Sequence, residues 1–175
     1  MRDCRPLWRH SFAALALLWP AHGWAVDELA LKAAVACKLL MFTDWPAGAL
    51  PPGGPLRLCT AMGSPYVEAL RDLRGQQIAD HPLEPVELAP DGAAVRPCHA
   101  LLVDRGLRAG AALVQSVEGQ ATLVIADEVV DLPGVAVRLA VHEGRVGFDV
   151  DLSQVRRRGL RLSAQLLRLA RRVSE

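Results

Sequence analysis

Apolar and polar positions divide this chain into a short leader and a longer body of alternating strands and helices. At the start, Arg2, Arg5 and Arg9 precede an apolar run, Ser11 to Trp19 (SFAALALLW), which Pro20 ends. Gly23-Trp24-Ala25 then places small residues where a signal peptidase reads, which predicts cleavage after Ala25. An uncleaved anchor is the alternative, but nine apolar residues are too few. A spanning helix needs about 20. No later stretch is long and apolar enough to span a membrane. Residues 1–25 are therefore expected to be a signal peptide, and 26–175 a single exported domain that does not span a membrane.

The body opens with Asp27 to about Phe42 (DELALKAAVACKLLMF), a helical length with acidic residues in its first turn, where the helix dipole favours them. Its apolar residues lie almost all round, which implies burial or packing on two partners. Asp44-Trp45-Pro46 ends it, because the residue before proline is pushed out of the helical region. After a Pro/Gly loop, Leu56 to Ala61 reads as a strand. Gly63-Ser64-Pro65 then supplies a turn, a capping serine and a proline for the first helical position, with a helix through about Leu73. Further strands are expected at Leu83–Leu88, His99–Asp104, Ala121–Ala126, Val135–Val141 and Arg145–Asp151, with a helix from about Leu107 to Val117. Strands alternating with helices indicate a parallel sheet. The last two strands alternate in polarity across Glu143-Gly144, which indicates a hairpin. Gly159 stops a short helical turn. Ser163 then caps a final helix whose Leu162, Leu166, Leu169 and Val173 share one face. The expected fold is an α/β three-layer sandwich around a mixed, mainly parallel sheet that ends in an antiparallel hairpin.

Composition narrows the function classes. Hydrophobic residues make up 51% and charged residues 22%, which argues against disorder. The 20 basic and 19 acidic residues nearly cancel, unlike the basic excess of a nucleic-acid binder. No catalytic constellation stands out: His81, His99 and His142 are scattered and suit local bonding better than acid-base work, and Ser64 lacks a nucleophile-elbow setting. The chain has no Cys-x-x-Cys or His-x-x-x-His pair to start a zinc site, and no cofactor is expected. Gly63 and Ser64 sit where a first strand meets a helix, so they either cap that helix or contribute to a ligand crevice. Trp45 is either core or an interface anchor. Arg156, Arg157, Arg158, Arg161, Arg168, Arg171 and Arg172 crowd the last 20 residues and form either a solvated face or a surface for an acidic partner. Export leaves Cys37, Cys59 and Cys98, an odd number, so at most one internal bridge forms.

Four segments in order carry a family resemblance. They are Phe42-Thr43-Asp44-Trp45-Pro46, Pro55-Leu56-Arg57-Leu58-Cys59 and Cys98-His99-Ala100-Leu101-Leu102-Val103, then a carboxyl-terminal pair. That pair is Gly144 to Asp151 (GRVGFDVD) and Gly159 to Ala170 (GLRLSAQLLRLA). The chain resembles the YfiR-like periplasmic proteins over nearly all of its mature region. The resemblance implies a periplasmic, non-enzymatic homodimer that represses an inner-membrane diguanylate cyclase by binding its periplasmic domain. It also implies release of that repression by an outer-membrane lipoprotein. Cys37, Lys38, Met41 and Asp151 stand where members commonly carry other residues. A small-ligand sensor with its crevice at Gly63 and Ser64 is the alternative function. Trp45, Arg168, Arg171 and Arg172 are the candidate partner interface. A disulfide is expected between Cys59 and Cys98, because a doubly wound order 2-1-3 makes the first and third strands neighbours and relatives carry both cysteines. Cys37 is then left as a buried thiol.

Overall fold

The Asp27 carboxylate accepts a hydrogen bond from the Leu29 amide at 3.0 Å and so starts helix α1 (Glu28–Met41). A computed structural model describes residues 27–89, 97–104, 110–128 and 130–175. The expected signal peptide, and Leu107 to Ala109 at the start of the third expected helix, lie outside the described residues. After α1 come β1 (Thr43–Asp44), β2 (Leu56–Ala61), α2 (Tyr66–Arg71), β3 (Gln77–Ile78), β4 (His81–Leu88) and β5 (Ala100–Val103). They are followed by α3 (Gly110–Ser116), β6 (Leu123–Asp127), β7 (Val137–His142), β8 (Arg145–Asp151), α4 (Leu152–Arg157), β9 (Arg161–Leu162), α5 (Ala164–Leu167) and β10 (Arg172–Ser174).

Eight strands form one mixed sheet in the order β10-β8-β7-β6-β5-β2-β4-β3. The run β4-β2-β5-β6-β7 is parallel, and β7 and β8 form the expected antiparallel hairpin. Alternation along the inner strands separates two apolar clusters. Leu56, Leu58, Ala100, Leu102, Leu123 and Ile125 face the side covered by α1 and α2. Cys59, Ala61, Leu101, Val103, Val124 and Ala126 face the other side, with Leu113 and Val114 of α3. Helices on both faces make the expected three layers.

The carboxyl end differs from expectation. Ser163 does cap a helix, since its hydroxyl accepts from the Leu166 amide at 3.2 Å, but α5 lasts a single turn. Leu166 is buried, whereas Leu169 is 66% exposed. The chain then extends as β10, parallel to β8, and the Arg171 amide donates to the Phe148 carbonyl at 2.8 Å. The hairpin is therefore not the sheet's last element. The reason is the open edge of β8, whose unpaired backbone groups recruit the segment. Gly147 helps, because a Cβ there would lie 2.6 Å from Arg171 Cδ. A second, unforeseen pairing joins β1 to β9, with Thr43 opposite Leu162 and Asp44 opposite Arg161.

Candidate functional site

Cys98 and His99, at the entrance to β5, organise one end of the molecule. Cys59 and Cys98 form a disulfide with Cα atoms 5.9 Å apart, within the span a bridge requires. Order 2-1-3 is present as β4-β2-β5. The Thr122 hydroxyl donates to the Cys98 carbonyl at 2.7 Å. His99 Nδ1 accepts from the Arg57 amide at 2.8 Å, so the ring proton sits on Nε2, which donates to the Ala49 carbonyl at 3.1 Å. Burial pushes the His99 pKa below its usual value, and the Ala49 carbonyl only partly offsets this. The imidazole is thus a buried neutral strut, in line with local bonding and not with acid-base work.

That strut holds Trp45. The indole N–H donates to the His99 carbonyl at 3.2 Å, and the indole meets the imidazole edge-on at a centroid distance of 6.2 Å. The ring is half-buried against the α1-side core. A groove of about 340 Å³ lies beside it, with Met41, Leu50, Ile78 and His81 among its walls. The body of Trp45 packs on the core and its polar tip is tied, while part of its surface remains open.

The arginines do not form one patch. Arg168, Arg171 and Arg172 are exposed, the last in the edge strand β10. Arg171 Nε stands 3.5 Å from Asp149 Oδ1, a loose pair that leaves that oxygen without a geometrically sound hydrogen bond. Arg156 pairs with Glu175 at 3.1 Å in the open. Arg158, in contrast, is only 9% exposed and points inward.

Gly63 and Ser64 lie at the carboxyl end of β2, next to β5, where the sheet's connections reverse direction. The Ser64 hydroxyl is buried, donates to Asp104 Oδ2 at 2.6 Å and accepts from the Tyr66 amide at 3.2 Å. The N-cap of α2 is Pro65 and not Ser64 as expected, but Ser64, one residue earlier, still satisfies the Tyr66 amide at the start of the helix. Gly63 is exposed at φ +76°.

A buried polar cluster beside Ser64 is absent from the sequence reading. Lys32 is 4% exposed, and its ammonium lies 2.5 Å from Asp127 Oδ1 and 2.7 Å from Glu28 Oε1. Burial disfavours that charge, but the two carboxylates outweigh it and raise the Lys32 pKa. The buried Tyr66 hydroxyl lies near Asp127 without closing a well-formed bond, and burial raises its pKa steeply. One signal was available: a lysine inside ELALKAAVA must find a carboxylate, and Asp104 and Asp127 each close an apolar strand. Cys37 is a buried free thiol whose pKa burial pushes up to about 11, as expected.

Among the described residues no group of His, Cys, Asp or Glu could hold a metal ion, and no helix is long and apolar enough to cross a membrane. No curated protein matches the chain. The family model described as YfiR/HmsC-like matches residues 29–171, from α1 to the arginine that leads into β10. That match takes in the Trp45 loop, the Cys59–Cys98 bridge and the hairpin, and the chain therefore belongs to the YfiR/HmsC-like family.

Proposed function

We propose that the protein is a periplasmic regulator without catalytic activity, which binds the periplasmic domain of an inner-membrane diguanylate cyclase and holds it inactive. Membership of a family of periplasmic regulators supports the class of function. The observation that carries the interface is Trp45, a partly open aromatic fixed to the His99 carbonyl beside a disulfide. A rigid anchor of this kind loses little entropy on binding. Arg168, Arg171 and Arg172 are exposed and add positive charge that would steer an acidic partner. Repression works by population shift: tighter binding to the inactive cyclase conformation lowers its output. The protein acts as a homodimer, and an outer-membrane lipoprotein competes for it. Deleting the protein is expected to raise cellular cyclic di-GMP. Unchanged levels, in cells shown to express a cyclase with a periplasmic domain, would refute the repressor reading.

A second reading keeps Gly63 and Ser64 as part of a small-ligand crevice, favoured by their place at the reversal point between β2 and β5. Thermal shift against a small-molecule panel separates it from the first.

A further inference from the structure

Arg158 is a buried guanidinium with no carboxylate in ion-pair contact among the described residues; Glu118 acts on it only at longer range. Its Nη1 donates to the Val117 carbonyl at 2.7 Å, and its Nη2 reaches the Gly134 carbonyl only at 3.4 Å. Its Nε is buried and bonded to nothing. A cation removed from water normally gains an anion in return, because carbonyl dipoles recover only part of the lost hydration. Here the balance is left open, and a cavity of about 460 Å³ lies against the group, a size within the range of small-ligand sites.

The cavity lies between α3 and α4 at the edge where β6 and β7 begin, opposite the edge that carries Ser64. Gly134, just before β7, keeps the space open. Its φ is +86°, and a Cβ there would lie 2.9 Å from Val114 Cγ1 and 3.3 Å from Arg158 Nη2. Ala111, Val114 and Pro133 supply an apolar wall. Arg157 adds a second positive charge to the lining, against one acid, Glu118, on its exposed rim. The donors, the charge and the wall together match one kind of molecule.

We propose that this cavity binds a small organic carboxylate, with the carboxylate received at the Arg158 guanidinium, whose Nη2 is held only by the 3.4 Å contact to the Gly134 carbonyl, aided by Arg157, and the apolar body lying along Ala111, Val114 and Pro133. A charge-assisted hydrogen bond from guanidinium to carboxylate is shorter and stronger than the carbonyl contact it would supplement. The site is independent of the cyclase reading, since binding is measured without any partner.

Benzoate and its neutral counterpart benzamide are suitable probes, titrated into the oxidised protein and followed by amide chemical shifts. Benzoate is expected to shift the Val117, Gly134 and Arg158 amides to saturation, while benzamide leaves them in place. Arg158→Gln should weaken benzoate at least about tenfold. Because that variant removes a buried group and can unfold, Ala111→Trp provides the second arm. It fills the cavity from an exposed position on α3, so it should keep the fold and lose benzoate binding. Three results overturn the proposal: no saturable benzoate response, equal binding of benzamide, or full binding by the Ala111→Trp variant.

Discussion

Trp45 and Arg171 both sit where core meets solvent, and each is held by one polar contact at its tip, but the two holds differ in kind. The Trp45 N–H meets a carbonyl that belongs to the sheet itself, since the His99 carbonyl also accepts from the Leu123 amide at 2.9 Å. The Arg171 guanidinium meets Asp149 at 3.5 Å, with its own side chain 39% exposed. The first contact is directional and largely shielded from salt, whereas the second is screened and worth little by itself. One region therefore presents a fixed shape and the other a field. Changes near Trp45 should act through stability and dissociation, and changes near Arg171 through the rate of encounter.

The sharpest way to break this contrast is to attack the inside of the α1 side. Lys32→Met leaves Asp127 buried without its cation and is expected to cost about 3–5 kcal/mol in urea unfolding. A loss below about 1 kcal/mol would mean that the pair is not what fixes α1 to the sheet.

The bridge comes next. Removing it by Cys59→Ser with Cys98→Ser should cost up to about 4 kcal/mol on chain-entropy grounds. Trp45 is the sole tryptophan in residues 26–175, so its emission reads the same event optically. A red shift is expected on reduction, because Cys98 directly precedes the residue that holds the indole. Unshifted emission with a lowered melting temperature would uncouple anchor from bridge.

Acid gives a smaller effect of definite sign. The His99 pKa is lowered in the folded state, so between that value and about 6.5 the unfolded chain binds more protons. The stabilisation is complete above about 6.5 and is lost as pH falls through the folded value. The urea midpoint should be lower at acidic pH than at neutral pH, and His99→Gln should flatten the dependence. An equal slope in that variant would mean that His99 is not the source of the effect.

The smallest change in stability is expected at the arginine edge. Replacing Arg168, Arg171 and Arg172 by Gln should alter unfolding by less than about 1 kcal/mol. The same variant should slow association with an acidic partner, mainly at low salt. Trp45→Ala should instead speed dissociation. Identical association rates at low and high salt would leave the arginines as a solvated face.

What could be read beforehand follows from how burial is written into a chain. Leu56–Ala61, Ala100–Val103 and Leu123–Asp127 are buried on both faces and so are nearly continuous apolar runs, from which the parallel core and the β4-β2-β5 neighbourhood follow. β1, β9 and β10 are two or three residues long, too short to show a period. The leucines at 162, 166 and 169 keep a helical spacing, but an open sheet edge outcompeted it after one turn. The Lys32–Asp127 pair joins residues 95 apart: the lysine within an apolar helix announces a need for a carboxylate, but nothing local says which one. Arg158 is hidden differently: within Arg156-Arg157-Arg158 it looks like its exposed neighbours, and only the Gly159 turn, at φ +70°, sends it inward. The candidate interface was legible as residues, but not the device that holds Trp45.

The pairing of β1 with β9, with the Ser163 amide donating to the Phe42 carbonyl at 3.0 Å, bears on how the chain matures. α1 shares its apolar cluster with Phe148, Val150 and Leu166, all supplied by the last part of the sequence. A chain emerging amino end first therefore leaves part of the apolar surface of α1 uncovered until synthesis is nearly complete, even after α2 has formed. Such a segment is sticky while it waits and suits capture by a holding chaperone. Loss of residues 161–175 would accordingly remove Leu166 and the β9 pairing from the α1 side and expose apolar surface that promotes aggregation.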